Sequence, residues 1–441
     1  MKRILLLTAV MAAAPAFAAD LLGVYREAQL QDAVYAGAKA SYIAAQERLP
    51  QGRALLLPNI NFRAGANYND VDTQYKNGLF ASGQRDFYDY NYGVTLTQPL
   101  YRRQNNLTYE QSKIQVKQAG NQLSAAAQDL MTRVAQGYFD VLLARANLNT
   151  IASQKTAVAE QLEQAKRNFI VGTATITDSR EAQARYDLVV AQELGAQNDL
   201  EVRMRALEQI AGKPVGELAG LSLPVTLNPP DPVDMGTWVE QAYQSSLQVA
   251  LAQQSLELAA REVDKTRAGH YPTLDAVGSL TQNYANSSPQ GIGSDARALV
   301  IGLQLNIPLY QGGAIDSRVR EAIANQEKAR QDLENARRTV ALQTRQAYLG
   351  VTSGLGQVKA LEQAVASTQL QLESTKLGQE VGVRTAVDVL NADQQLAAAR
   401  RDFAQSIYST ILNQLKLKAA VGKLTEADLA DVNTLLRDNG K

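Results

Sequence analysis

No proline occurs between Pro99 and Pro214, or anywhere after Pro308. Inside the first of these stretches apolar residues recur in alternating steps of four and three: Leu123, Ala127, Leu130, Val134, then Val141, Ala144, Leu148, Ile151, Val158, Leu162, Ala165 and Phe169. Gly137 and Lys155 are the two misfits. A spacing held over about seven heptads marks a coiled-coil seam rather than an ordinary core stripe. It predicts one helix from Arg102 to Val171, roughly 105 Å long at 1.5 Å per residue. A looser version runs through Leu333, Val340, Ala347, Val351, Val358, Leu361, Val365 and Leu372. The helices expected at Leu22–Leu57 and Thr177–Ala211 are about half as long, so two stacked end to end would match the long one. A compact domain has no use for such a rod, whereas the wall of a tube does.

The chain also repeats itself. QPLY (Gln98–Tyr101) matches IPLY (Ile307–Tyr310), AQGYFDVL (Ala135–Leu142) matches RQAYLGV (Arg345–Val351), and LLPNINF (Leu56–Phe62) matches HYPTLDA (His270–Ala276). The octet VGTATITD (Val171–Asp178) returns as VGVRTAVD (Val381–Asp388). Two long copies make a duplicated architecture rather than a solenoid. Each copy reads helix, strand, strand, helix, helix. The repeats are placed at 20–212 and 236–423, with a proline-rich linker at 213–235 and a tail at 424–441.

Alternation identifies the strands, expected near 59–70, 86–98, 273–284 and 296–308, the third being the weakest because Val277 breaks its polar face. Ile60, Phe62, Ala64, Ala66 and Tyr68 alternate with polar or small residues, as do Tyr88, Tyr90, Tyr92, Val94 and Leu96, and Leu299, Ile301, Leu303 and Leu305. Period two over about ten residues gives a strand with one apolar and one polar face. That length suits the hydrocarbon thickness of a bilayer. The cluster Phe87, Tyr88, Tyr90 and Tyr92, with Phe62 and Tyr68, points to a bilayer interface, where tyrosine gathers. An open four-stranded sheet in lipid would leave edge N–H and C=O groups unpaired at several kcal/mol each. The smallest membrane barrels have eight strands, so strands in a membrane require several copies of the chain: two, three or four. A water-soluble sheet capping a helical bundle is the alternative.

MKRILLLTAVMAAAPAFA carries the marks of a signal peptide, cleaved near residue 19: a basic start, a short apolar stretch and Ala16-Phe17-Ala18. An uncleaved anchor is the competing reading. The absence of cysteine excludes disulfides, thiol nucleophiles and a lipidated signal junction. The 44 basic and 44 acidic residues balance, which gives no electrostatic reason to expect nucleic acid as a partner.

Together, the signal peptide, LPNI and YPTLD before strands, QPLY and IPLYQGG after them, and the paired VGxxTxxD octets resemble the TolC-type outer-membrane efflux channels. The resemblance spans nearly the whole mature chain, and lies closer to the branch without a lipid anchor. It implies a mainly helical chain with a β-barrel portion. Three copies would share one twelve-stranded barrel in the outer membrane and a helical tunnel across the periplasm. An equatorial belt would include the linker and the tail. Its implied partners are a periplasmic adaptor (membrane fusion) protein, an inner-membrane transporter of RND, ABC or MFS type, and lipid.

In that family the octets are the periplasmic turns where the channel narrows to its gate. Gly172 and Gly382 suit sharp turns, and threonine and aspartate suit the start of the returning helix. Thr177 is placed at this start. Asp388 matches a constriction aspartate, Arg384 an arginine that ties the closed end together, and Asp178 its carboxylate partner. Two positions depart from the family: a second constriction aspartate is Asn391 here, and a closed-state tyrosine is Gln379. A bland alternative reads both octets as capped turns.

No catalytic, cofactor or metal site is read from the sequence. His270, the single histidine, has no acid or nucleophile motif beside it and is placed at a strand entry or in the belt. Neither a G-x-S-x-G nor a phosphate-binding glycine loop occurs. The rival functions are a soluble periplasmic coiled-coil adaptor and an envelope protein of structural or adhesive role, both without a pore. Drug efflux and protein secretion share one conduit and are not separated by the sequence.

Overall fold

The computed structural model describes residues 19–76, 82–221 and 225–437. All but the last residue of the expected signal peptide lie outside the described residues. The five-element plan is present twice. The first copy holds α1 (Leu21–Gln31), α2 (Ala33–Gln46), α3 (Arg48–Ala54), β1 (Asn59–Thr73), β2 (Gly83–Tyr101), α4 (Arg103–Ile170) and α5 (Ile176–Ala211). A short β3 (Gly220–Leu221) lies in the linker. The second copy holds α6 (Met235–Ser245), α7 (Leu247–Arg267), a 3-10 turn (Ala268–His270), β4 (Thr273–Ala285), β5 (Ser294–Asn306), α8 (Ala314–Glu380) and α9 (Ala386–Ala420). The tail forms α10 (Glu426–Asn433) and β6 (Leu436–Arg437). The long helices have 68 and 67 residues, their returning partners 36 and 35.

The helix expected over Leu22–Leu57 is in fact three. Asp32 takes an extended conformation (φ −63°, ψ 119°) that ends α1, and its carboxylate accepts the Tyr35 N–H at 2.7 Å to begin α2. The second copy breaks at the corresponding place, where Ser246 (φ −61°, ψ 130°) separates α6 from α7. The first helices of both copies are capped by aspartates, Asp20 on the Gly23 N–H and Asp234 on the Thr237 N–H. A side-chain acceptor at this position satisfies one of the free donors of the first turn.

The chain forms two compact units. One comprises the chain up to Lys39, Gln122–Val249 and the chain from Ala336; the other comprises Ala40–Asn121 and Ala250–Asn335. In the first unit the seam of α4 is buried at Leu130, Val134, Val141, Ala144, Val158 and Leu162, against α1, α5 and α9. Both misfits of the seam have structural reasons. At Gly137 a Cβ would come within 3.2 Å of Leu207 Cδ1 on α5, so the glycine permits close helix approach. Lys155 reaches Glu193 on α5 at 2.6 Å.

The repeated AQGYFDVL motif has a shared task. The Tyr138 hydroxyl donates to the carbonyls of Ala19 (3.1 Å) and Ala219 (2.7 Å). Its counterpart Tyr348 donates to the carbonyl of Val233. Ala19 and Val233 each precede the capping aspartate of their copy, so the two tyrosines clamp the two repeat starts alike. Burial raises the pKa of Tyr138, and pushes Tyr408, stacked on Phe139 at 5.2 Å, up to about 12. Linker and tail meet where β3 pairs with β6.

The second unit contains one antiparallel sheet of order β1-β2-β4-β5. The strands extend a few residues beyond their expected bounds at the loop ends of β1, β2 and β5, and β2 also at its base. β5 ends at Asn306, short of the expected residue 308.

Asp32 is 5% exposed and takes a bidentate pair from Arg133 at 3.0 and 3.1 Å. The Arg133 hydrogen bonds, and then the Tyr35 N–H, hold its pKa below the ordinary 3.8. Asp32→Ala is expected to destabilise the folded chain by about 1–3 kcal/mol, because it leaves half-buried donors of Arg133 and the Tyr35 N–H without their acceptor. The native pKa is depressed, so the contribution is full above pH 3.8 and is lost as pH falls through the native value. Denaturation in detergent followed by circular dichroism should show the gap between wild type and variant closing at acid pH.

Candidate membrane face and periplasmic gate

Register sorts the side chains of the sheet onto two faces. Ile60 faces Leu96, Phe62 faces Val94, Ala66 faces Tyr90 and Tyr68 faces Tyr88. Across the middle joint Tyr90 faces Tyr284 and Val94 faces Leu280, and Leu280 in turn faces Leu299. Toward the base one face is thus apolar from edge to edge, while Gln282, Asp295 and Arg297 lie on it nearer the loops. It lies bare: Phe62 is 69%, Tyr68 70% and Ile301 81% exposed. The other face carries Asn61, Arg63, Asn67, Thr95, Asn91, Asp89, Ser279, Thr281 and Gln304, with Asn67 and Asn69 donating to Asp89 at 2.9 and 2.6 Å. This is the division required of a barrel wall between lipid and a wet lumen. Among the described residues no helix is long and apolar enough to cross a membrane.

At the loop end of the apolar face Tyr90 stacks on Tyr284 at 4.5 Å, with Tyr88 6.5 Å from the same ring. Tyr284 joins the expected cluster of Tyr68, Tyr88, Tyr90 and Tyr92. Phe87 does not: it faces Asn69 on the polar side, one residue out of step with the tyrosines. Phe62 lies six residues from Tyr68, about 20 Å nearer the base at the usual strand rise. The base has its own tyrosine. A bulge leaves Leu100 unpaired and places Tyr101 opposite Leu274, on the apolar side. Pro99, which lacks an N–H, sits beside this bulge where β1 has already ended.

The repeated motifs meet at this base. Arg102, just after QPLY, makes a bidentate pair with Asp275 of YPTLD at 2.8 and 2.5 Å, and Asp275 is 6% exposed. Sequence spacing gives no sign of this pair, because the joint between β2 and β4 spans most of a repeat. His270 stands 3.2 Å from Asp316, at the strand entry where it was expected.

The octets form two turns with the same hydrogen-bond pattern. Gly172 (φ 76°) and Gly382 (φ 80°) are left-handed, a region costly for any residue with a Cβ. The carbonyls of Asn168 and Gly378 each accept two backbone N–H groups from the turn. The returning helices begin at Ile176 and Ala386, capped by Thr175 and Thr385. Thr177 is therefore inside the first turn rather than at the start. Each cap is a reciprocal box. Thr175 Oγ1 accepts the Asp178 N–H at 3.2 Å, and Asp178 Oδ2 accepts the N–H and the hydroxyl of Thr175, both at 2.8 Å. Thr385 and Asp388 repeat this at 3.2, 2.8 and 2.9 Å.

Both aspartates have pKa values lowered from the ordinary carboxylate value, first because of the Thr backbone N–H and then the Thr hydroxyl. The Arg384 charge lowers Asp388 further. Among the described residues, no ion pair joins Arg384 to Asp178 within one chain. Asn391, one turn beyond Asp388, is exposed, and Gln379 is half-buried before the turn. Leu390 packs with Val158 and Val189, so the start of α9 is fixed against α4 and α5.

A chain with long paired helices, and a sheet that is apolar on one side and open at both edges, belongs to the class of outer-membrane channels. The sequence profile of the outer membrane efflux protein family matches residues 24–213 and 238–423, one segment per repeat. The chain belongs to that family. It is 34% identical over 425 residues to the outer membrane protein TolC of Vibrio cholerae, covering 96% of this chain and 94% of that protein. It is 31% identical over 437 residues to the proteases secretion protein PrtF of Dickeya chrysanthemi, covering 97% of this chain and 94% of that protein. The solved outer membrane channel CmeC of Campylobacter jejuni superposes with a TM-score of 0.79 at 18% identity, over 94% of this chain and 89% of that one. The protein is an outer-membrane exit duct of a Gram-negative envelope that extends into the periplasm. Nothing in these likenesses supports the poreless alternatives.

Removing a cap hydroxyl tests the turn geometry directly. Thr175→Ala and Thr385→Ala should each speed hydrogen exchange of the first-turn amides, Asp178 and Asp388 included, by about fivefold, the usual worth of an N-cap. Mass-spectrometric exchange on the detergent-solubilised protein reads this out.

Proposed function

We propose that three copies close one twelve-stranded barrel, and that their helices enclose a conduit gated at the two octet turns. The observation that carries this is the sheet: four strands, one bare apolar face and two unpaired edges. An eight-stranded closure would leave a lumen filled by side chains, whereas twelve strands leave an open one. The conduit would work with a periplasmic adaptor and an inner-membrane transporter, which must supply the energy. Its relatives include secretion proteins, PrtF and the alkaline protease secretion protein AprF of Pseudomonas aeruginosa, and a cation efflux system protein, CusC of Escherichia coli. Likeness to both kinds supports a duct whose cargo is chosen by the transporter behind it, drugs and small toxic compounds in one case and proteins in the other.

At the gate, Asp388 of each copy would form a ring of carboxylates that attracts cations. Asn391 halves the charge such a ring would carry with two acidic positions per copy. Arg384 and Asp178 would act as a latch. Both bonds of the Asp178 cap use Oδ2, so Oδ1 stays available to a guanidinium. A solvated ion pair is worth only about 0–1 kcal/mol, which makes a latch of such pairs easy for a docking partner to open.

Protein extracted in detergent should have the mass of three chains and pass ions in planar bilayers. Arg384→Ala and Asp178→Ala should each raise the resting conductance. Unchanged conductance in both variants removes the latch, while a monomer that passes no current removes the channel reading itself.

A further inference from the structure

The two hairpins of the sheet share one register. Asn59 corresponds to Thr273, and Thr97 to Asn306. These pairs occupy the same place in their own hairpins, Asn59 facing Thr97 and Thr273 facing Asn306. Inside one chain the hairpins are joined by β2 against β4. In a ring of copies they are joined by β5 against β1 of the next, which is the same joint one repeat later.

The structure shows that joint with one side missing. β2 continues through Gln98-Pro99-Leu100-Tyr101 because β4 is there to pair with it, Pro99 opposite Asp275 and Tyr101 opposite Leu274. β5 stops at Asn306, although Ile307-Pro308-Leu309-Tyr310 repeats the same four positions. Leu309 is 91% and Tyr310 88% exposed, against 54% and 43% for Leu100 and Tyr101.

We propose that a second copy of this chain supplies the missing side in the register of the internal joint. This rests on the barrel reading above and adds its seam. β5 extends to Tyr310, with Leu305 opposite Ala64 of the partner subunit and Ile307 opposite Phe62 of the partner subunit. A bulge at Leu309 then sets Tyr310 opposite Ile60 of the partner subunit. From the base up to Ile301 opposite Tyr68 of the partner subunit, apolar rows meet apolar rows; Arg297 then falls opposite Asp72 of the partner subunit, opposite charges at the loop end. A slip of one residue would put the apolar side of one copy against the polar side of the next. A slip of two would take Pro308 away from the place opposite Asn61 of the partner subunit that Pro99 holds opposite Asp275 in the internal joint.

The two joints differ in one respect. Gln311 stands where Arg102 stands, and Asn61 of the partner subunit where Asp275 stands. The internal corner is held by a buried ion pair, whereas the corner between copies meets as neutral amides.

The chain has no cysteine, so paired substitutions report register without background. Arg63→Cys with Asn306→Cys, and Asn67→Cys with Gly302→Cys, fall opposite one another on the polar face in this register. A side chain at Gly302 meets nothing within 4 Å. Each double variant should give covalent trimers on mild oxidation in native membranes. The crossed combinations, Arg63→Cys with Gly302→Cys and Asn67→Cys with Asn306→Cys, are offset by four residues, about 13 Å along the strand. They should link at least about tenfold less, being beyond disulfide reach. A trimer by native mass in which the crossed pairs link instead, or in which none of the four links, overturns the register and leaves the trimer intact. A monomer that links nothing overturns both.

Discussion

In hydrocarbon a backbone N–H or C=O without a partner costs several kcal/mol, and a sheet has such groups along every open edge. This chain builds a sheet with two open edges, β1 and β5, and leaves its apolar face uncovered. Neither property is tolerable for the chain alone: the bare face asks for lipid, and lipid asks for closed edges. Together they specify an assembly, and the family to which the chain belongs is one of channels made to lie in that setting.

The repeat determines much of the rest. The capping aspartates Asp20 and Asp234, the breaks at Asp32 and Ser246, the tyrosine clamps and the threonine boxes come in pairs at corresponding places. Where the copies differ, the difference is local and charged. Asp32 takes a bidentate arginine, where the uncharged Ser246 can form no ion pair. Arg102 pairs with a buried aspartate where its counterpart is Gln311. Arg384 stands where the first turn has Ala174. A duplicated scaffold gives both halves one backbone, and these substitutions make the halves unequal at the joints and at the turn.

The periodic features were legible in the sequence, because a face has only to be apolar at the right interval. The seam of α4 reads correctly from Leu130 to Leu162, and the strand alternation names the bare face. The loop ends of the strands read short, since Val71–Thr73 and Gly83–Arg85 are polar or mixed on both sides and carry no alternation. The breaks at Asp32 and Ser246 were hidden, because one polar residue in a helical stripe is ordinary and only the backbone shows the turn. Placing the helix start at Thr177 is two residues late, because the spacing of threonine three residues before aspartate belongs to Thr175. The Arg102–Asp275 pair and the place of Tyr284 depend on which strands are neighbours, and no local pattern encodes that.

The octets show how one residue can serve both readings offered by the sequence. As plain turns they are complete: a left-handed glycine, a doubly accepting carbonyl and a threonine–aspartate box. As a gate they need a carboxylate that stays charged in company. Crowding three carboxylates near one axis would raise their pKa values and favour protonation. The box acts in the opposite direction, since an N–H and a hydroxyl bonded to Oδ2 stabilise the ionised form of Asp388. Because Asn391 contributes no charge, the proposed ring depends on Asp388 alone, and the cap that starts α9 also favours the ionised form of that carboxylate.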